Sequence, residues 1–325
     1  MMLNETHQLS FGCSGLAGLY QPVSDRDVEE VLNAAWDSGI RYFDTAPHYG
    51  NGASEQRLGQ FLRDKTGWTL STKVGRVLRP DPNPPAIING FHNALPFKQS
   101  FDFTYDGIMR SVEDSYQRLG LNRIDILYVH DIGDPGAGTD TAQHRADLLN
   151  GGARALEDLR SSGAIGAVGL GVNTVEICEE LIGHMRIDLI LLAGRYTLLD
   201  RSAVRMFGLL QQHGIRLVMG GVFNSGILAT GPVEGAHYDY APASPEILKR
   251  TAALQEICAR YDTPLAAAAL QFPARSDLVA STLIGTSKAR SLTRNVAQFA
   301  QPLPAALWAE LDAFDAGADK TGGAS

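Results

Sequence analysis

The sequence predicts a closed (β/α)8 barrel, and three observations carry that prediction. Short apolar runs alternate with stretches of helical period along nearly the whole chain, eight strand–helix units can be counted, and no G-x-G-x-x-G turn follows the first strand. Continuous apolar strands of this kind are buried on both faces, as in a parallel sheet covered by helices. Eight units in succession favour closure over an open doubly wound sheet. The open sheet is the competitor, but its glycine fingerprint is missing: the first turn reads FGCSGLAGLY, with glycines at another spacing.

The elements follow in order. An initial strand is expected near HQLSFGC, residues 7–13. The stretch RDVEEVLNAAWDSG puts Val28, Val31, Leu32 and Ala35 on one helical face and ends on Gly39, a common helix stop. It leads into the strand IRYFD, the helix SEQRLGQFLRD, the strand WTLSTK and the helix YDGIMRSVEDSYQRLG. The strand IDILYVH, the helix GGARALEDLRSSG and the strand IGAVGLGV come next, then helix VEICEELIGH, strand IDLILLA, helix RSAVRMFGLLQQHG and strand IRLVMGG. A helical region over residues 244–261 precedes the last strand, VASTLIG, and a helix over RSLTRNVAQF. Two stretches exceed a tight connection, residues 77–103 and 222–243, and are expected to be long loops acting as lids on the face where barrels keep their sites. The whole chain, 1–325, reads as one domain, with a polar tail from about Asp319.

Composition narrows the function classes. Hydrophobic residues make up 44% and charged residues 20%, the balance of a soluble globular protein. The net charge of −8 comes without any basic stripe, which argues against nucleic acid as a partner. Cys13, Cys178 and Cys258 are odd in number and far apart, so neither a disulfide framework nor a CxxC metal site is expected, and a reducing compartment is. The N-terminus lacks the pattern of a signal peptide, and no apolar run approaches the ~18 residues of a membrane span. A cytoplasmic protein that is a monomer or homodimer, without a membrane partner, is the expectation. The eight histidines never fall at ligand spacing with an acid, so no metal is expected.

The strand ends carry the chemistry. Strand two ends at Asp44 with Tyr49 just beyond, strand three at Lys73, strand four at His130 and strand five at Asn173. Each has a bland reading: a rim ion pair for Asp44 and Lys73, a packed aromatic for Tyr49, a hydrogen-bonded rim histidine for His130. Their arrival on successive strands points instead to a tuned proton donor. A free phenol titrates near ~10. A lysine cation about 4 Å away, at an effective dielectric near 20, stabilises its phenolate by roughly 4 kcal/mol. That would lower the phenol by up to ~3 units. Asp44 would keep Lys73 charged, and His130 would polarise a substrate oxygen. Such acid–base chemistry on a C–O group pairs most naturally with hydride transfer.

At these residues the sequence resembles the aldo-keto reductases, over nearly its whole length. GIRYFDTAPHYGNGASEQRLGQFL is similar to the family's signature, with Asp44 and Tyr49 at two catalytic positions, and LSTKVG and DILYVHDIG match the segments of the catalytic lysine and histidine. The resemblance implies a barrel that binds a nicotinamide dinucleotide without a Rossmann fold, with Tyr49 as proton relay. LPFKQSFDFTYDGIMRSVEDSYQRLGLNRIDILYVHDIGD and LLAGRYTLLD resemble the branch containing D-threo-aldose 1-dehydrogenases, L-fucose and L-galactose dehydrogenases and the related pyridoxal 4-dehydrogenases. These enzymes oxidise a cyclic hemiacetal to a lactone.

There are departures from the family pattern. Val172 stands where many members have serine, beside Asn173; Ala193 replaces a glutamine and Gly220 an aromatic that stacks on the nicotinamide. The lysine and arginine that grip the 2′-phosphate in NADPH-specific members fall at Gly285 and Ser291, with Lys288, Arg290 and Arg294 nearby, which favours NAD while leaving NADP open. Ser287 and Asn295 match adenosine contacts, and Asn224, Ser225 and Gly226 line the implied pyrophosphate belt. Gly15 and Leu16, in the first glycine turn, are further cofactor candidates. His48 and Phe97 are candidate substrate contacts, with Phe91 and Phe101 as other possible caps in the long loop, whereas Trp68 and Cys13 read as core.

Four functions are therefore weighed. The first is oxidation of an aldose of the L-fucose, L-galactose or D-arabinose type. The second keeps the reaction with pyridoxal as substrate. The third makes Lys73 a Schiff-base lysine of an aldolase. The fourth, a cofactor-binding regulatory subunit, sits poorly with an intact set of four.

Overall fold

The computed structural model describes residues 3, 7–133 and 141–319. The polar tail beyond Asp319 lies outside the described residues. Eight parallel strands close on themselves as expected. They are β1 (Leu9–Gly12), β2 (Tyr42–Asp44), β3 (Thr69–Val74), β6 (Ile126–His130), β7 (Ala167–Val172), β8 (Leu189–Ala193), β9 (Arg216–Gly220) and β12 (Val279–Gly285). β1 pairs with both β2 and β12, which shuts the ring. The remaining strands are β4 (Arg76–Pro80), β5 (Phe97–Phe101), β10 (His237–Tyr238) and β11 (Ala241–Pro242), paired outside the barrel.

All eight sequence-predicted barrel strands are present, because an apolar run too short for a helix has only a sheet in which to satisfy its backbone while buried. The helices that alternate with them bury one face each. The helix Asp25–Asp37 hides Val28, Val31, Leu32 and Ala35, and begins at Ser24, whose side chain and that of Asp27 cap each other's backbone. The helix Pro245–Arg260 starts on Ser244, whose hydroxyl accepts from the Ile247 amide. Three further helices, Thr141–Asp147, Leu265–Gln271 and Ala305–Asp319, lie outside the expected elements. Leu265–Gln271 is a run of alanines and leucines with no polar face to give it a period.

Both expected loops need correction. Residues 77–103 are not an irregular lid: β4 and β5 form an antiparallel hairpin, from Arg76 opposite Phe101 to Pro80 opposite Phe97. Pro80 sits at the edge, where no ladder donor is needed. Residues 222–243 contain a short helix, Ile227–Thr230, and the two-residue pair β10–β11.

The segment after β2 also holds the fold together. Ser54 Oγ donates to the Cys13 carbonyl at 2.8 Å, and fully buried Glu55 receives Thr72 Oγ1 at 2.7 Å and Arg118 Nε at 2.5 Å. These contacts pin the helix Ala53–Leu62 to the first turn, to β3 and to the helix Tyr105–Leu119. The two helices meet so closely at Gly59 that a β-carbon there would lie 1.8 Å from the Leu119 oxygen. No helix among the described residues is long and apolar enough to cross a membrane.

Candidate active site

Barrel strands alternate their side chains in and out, so Asp44 and Lys73 reach the interior from β2 and β3. There Lys73 Nζ donates to Asp44 Oδ2 at 2.6 Å, to the Thr45 carbonyl at 2.9 Å and to Tyr49 Oη at 3.1 Å. The Lys73 side chain is 2% exposed and that of Asp44 1%. Asp44 has a second donor, Ser71 Oγ, at 2.7 Å. Since that hydroxyl spends its proton on Asp44, it accepts from Tyr42 Oη at 3.1 Å, and Tyr42 in turn accepts from Tyr128 Oη at 2.9 Å. A chain of hydroxyls thus runs from the barrel floor to the carboxylate. Ser71, Tyr42 and Tyr128 were missed in the sequence, where all three read as strand residues; only the parallel register of β2, β3 and β6 brings them together.

The electrostatics follow from burial. Burial works against the Lys73 ammonium, but Asp44, with Tyr49, outweighs it and holds the group above the ordinary lysine range, so it stays a cation. Burial pushes the Asp44 carboxyl up, while Lys73 and Ser71 pull it down. For Tyr49 the balance differs from the sequence expectation. Burial outweighs the pull of Lys73, and the phenol is pushed up to about 12 rather than below its free value. His130 is held well below the usual histidine range, by burial first and then by Lys73 and Arg76, so its ring is neutral. It stands edge-on to Tyr49, with ring centroids 6.0 Å apart, and its Nδ1 is buried without a partner.

A polar web surrounds this centre. Arg76, on β4, donates to Asp131 Oδ2 at 2.6 Å and to Gln99 Oε1 at 3.0 Å. Asn173 Nδ2 reaches Asp131 Oδ1 at 3.4 Å, and the Asn173 carbonyl accepts from Arg195 Nε at 2.7 Å. Arg195 then holds Asp239 through both carboxylate oxygens, at 3.0 Å each. His48 Nδ1 meets Gln99 Oε1 at 2.9 Å. Phe97 shows its backbone oxygen to Asn51. Buried Phe91 packs against both His48 and Tyr49, with centroids 5.6 and 6.2 Å apart, and Phe101 lies under the Arg76 guanidinium.

Above Tyr49 and Asp44 opens a cleft of about 710 Å³, a size suited to a bound small molecule. Gly220, Asn224, Ser225, Gly226 and Gly285 line it, together with Ser14, Tyr20 and Tyr240. One feature fits a bound ligand: Asn224 Oδ1, an acceptor, is buried with no partner among the described residues. Asn224, Ser225 and Gly226 all have positive φ, and the Asn224 and Gly226 amides close this turn on the Gly221 and Phe223 carbonyls. The other cofactor candidates stand off the cleft wall. Leu16 is buried in the core, and a β-carbon on Gly15 would lie 3.1 Å from Thr286 and 3.2 Å from the Ser287 amide, so that glycine lets the first and last turns meet. Asn295 is buried on the helix Ala289–Ala300, and Ser287 and Ser291 are half-buried at its start. Lys288 is turned toward Asp27, 3.4 Å away. Trp68 and Cys13 are buried in the core as expected. No cluster of metal-ligating side chains exists among the described residues.

Residues 8–316 match the model of the aldo/keto reductase family. A pyridoxal 4-dehydrogenase from Microbacterium luteolum is 46% identical over 315 residues, covering 93% of this chain and 92% of that protein. A D-threo-aldose 1-dehydrogenase from a Pseudomonas species is 40% identical over 312 residues, with 93% and 92% covered. Among solved structures, an aldo-keto reductase from Bacillus halodurans in its holo form superposes with a TM-score of 0.72 at 24% identity, covering 94% of this chain and 91% of that one.

Proposed function

The chain belongs to the aldo/keto reductase family, and from that premise we propose that it oxidises the cyclic hemiacetal of an aldose, of the L-fucose, L-galactose or D-arabinose type, to its lactone with a nicotinamide dinucleotide. The observation that supports this most is one ammonium, Lys73 Nζ, within hydrogen-bond reach of both Asp44 and Tyr49 at the foot of the cleft. Tyr49, as phenolate, takes the proton of the anomeric hydroxyl. Lys73 stabilises the charge on the phenolate oxygen, and Asp44 keeps Lys73 protonated and in place. Neutral His130 offers an N–H to the reacting oxygen. When bound, the dinucleotide supplies the hydride acceptor. The carbon loses a hydride, its oxygen a proton, and a C=O bond forms.

Asn224, Ser225 and Gly226 would hold the phosphates, Gly220 and Asn173 the nicotinamide end, and Gly285, Ser287, Ser291 and Asn295 the adenosine end. NAD is the favoured form, because Gly285 and Ser291 offer no cation for a 2′-phosphate and Lys288 faces Asp27.

Pyridoxal, whose hemiacetal closes to the same kind of lactone, is the second reading. It is favoured by the relative of that name and by the aromatic walls, Phe91 at the catalytic end and Tyr20 and Tyr240 at the cleft mouth. The Schiff-base alternative needs a free amine, whereas Lys73 is a triply bonded cation.

The test is the initial rate of reduced-cofactor formation from NAD and from NADP, with L-fucose, L-galactose, D-arabinose, D-glucose and pyridoxal. Tyr49→Phe should lose nearly all turnover yet bind cofactor normally. Equal rates in the two proteins would overturn the assignment.

A further inference from the structure

The hydrogen bonds around Gln99 determine where the His48 proton sits. Asn51 Nδ2 faces two backbone carbonyls, those of Leu95 and Phe97, which can only accept. Asn51 therefore presents Oδ1 to Gln99, and Gln99 Nε2 donates to it at 2.6 Å and to the His48 carbonyl at 3.3 Å. Gln99 Oε1 is left facing Arg76 Nη1, at 3.0 Å, and His48 Nδ1, at 2.9 Å. Turning either amide over would set oxygen against carbonyl oxygen and N–H against guanidinium. Oε1 must be an acceptor for both neighbours, so His48 Nδ1 must carry the proton. Burial first, and then the Arg76 guanidinium, hold the ring below the ordinary histidine range, so there is no second proton.

The other ring nitrogen, Nε2, is then a bare lone pair. It has no hydrogen-bond partner among the described residues and is not among the buried unpartnered atoms, so solvent reaches it. The ring stands edge-on to His130 and Phe91, with centroids 5.8 and 5.6 Å away, and 6.1 Å from the Tyr49 ring. The reacting oxygen belongs beside Tyr49 and His130, so a group on the neighbouring carbon falls next to His48.

We infer that His48 Nε2 is a specificity-determining acceptor, locked by the Asn51–Gln99–Arg76 relay, that selects substrates bearing a hydroxyl on the carbon next to the reacting one. This rests on the hemiacetal reading above. It deepens that reading by naming the substrate feature, the 2-hydroxyl of an aldose. An acceptor without a proton cannot pair with a carbonyl or ether at that place, so ligands lacking the donor lose the contact.

Two measurements test it. Spectra of 15N-labelled imidazole near neutral pH should show His48 protonated at Nδ1 and bare at Nε2, and Gln99→Leu should release the second tautomer. A wild-type ring protonated at Nε2 overturns the lock, whatever the enzyme turns over. In parallel, kcat/KM is compared for the aldose turned over and its 2-deoxy analogue. The wild type should prefer the hydroxylated form by roughly tenfold, the worth of one such hydrogen bond. His48→Phe should erase the preference mainly through KM, with its melting temperature as the folding control. Equal discrimination in both proteins overturns the assignment of His48. Absence of turnover with every sugar overturns the aldose reading and the hydroxyl with it, while the spectra still decide the tautomer.

Discussion

Replacing Lys73 with methionine keeps an unbranched side chain one atom shorter and removes its charge. At 3.1 Å and an effective dielectric near 20, the ammonium stabilises the Tyr49 phenolate by about 5 kcal/mol. That corresponds to about 4 pKa units, on a phenol that burial and the opposing pull of Lys73 together leave at about 12. With some of the field screened, the phenolate population and the rate of hemiacetal oxidation should fall by roughly a thousandfold or more. Asp44 loses its cation in the variant, and because burial already pushes its carboxyl up it can take a proton rather than remain a buried unpaired charge. The fold should therefore survive with a lowered melting temperature. The assay is the initial rate of reduced-cofactor formation at saturating substrate from pH 7 to 10, with cofactor binding followed by fluorescence. The wild-type rate should climb with pH across this range, because Tyr49 ionises above it. A Lys73→Met protein that binds cofactor and oxidises substrate within tenfold of the wild-type rate would refute the reasoning.

Other outcomes follow from single sites. His130 is held below its unfolded value, so as pH falls below about 6.5 the unfolded chain takes the proton first. Its contribution to stability is full above that pH and is lost on acidification. Denaturant unfolding should show this as a slope of up to about 1.4 kcal/mol per pH unit, and His130→Asn should flatten it. Gly59→Ala forces a methyl group into the Leu119 carbonyl and should cost about 1–3 kcal/mol, seen as a lower melting temperature with site geometry unchanged. Gly285→Lys combined with Ser291→Arg should shift the NAD-to-NADP preference toward NADP, by lowering KM for NADP while leaving kcat nearly alone. An unchanged ratio would place the adenosine end elsewhere.

Much of the site was legible in the chain because barrel chemistry sits at strand ends, and a strand end is visible as the point where an apolar run meets a polar residue. Asp44, Lys73 and His130 are found that way, and Tyr49 by its closeness to Asp44. The same rule could not find Ser71, Tyr42 or Tyr128, which lie within their strands and meet only across the sheet. Nor could it recognise the hairpin β4–β5: proline, asparagine and aromatic residues read as loop, and the pairing of Arg76 with Phe101 spans too many residues for any local period to betray it. That hairpin supplies Arg76 and Gln99 to the site.

The sequence by itself determined the eight barrel strands, most of the helices between them, and which polar side chains stand at the strand ends, since these depend on local period and residue chemistry. Only the tertiary structure decided the energetics. Whether Tyr49 titrates below or above its free value depends on how far burial outweighs a lysine 3.1 Å away, and burial is a property of everything packed around the phenol. The protonation of His48 is likewise settled by Asn51, Gln99 and Arg76, side chains from three separate segments whose donors and acceptors acquire a fixed order only once folding sets them face to face.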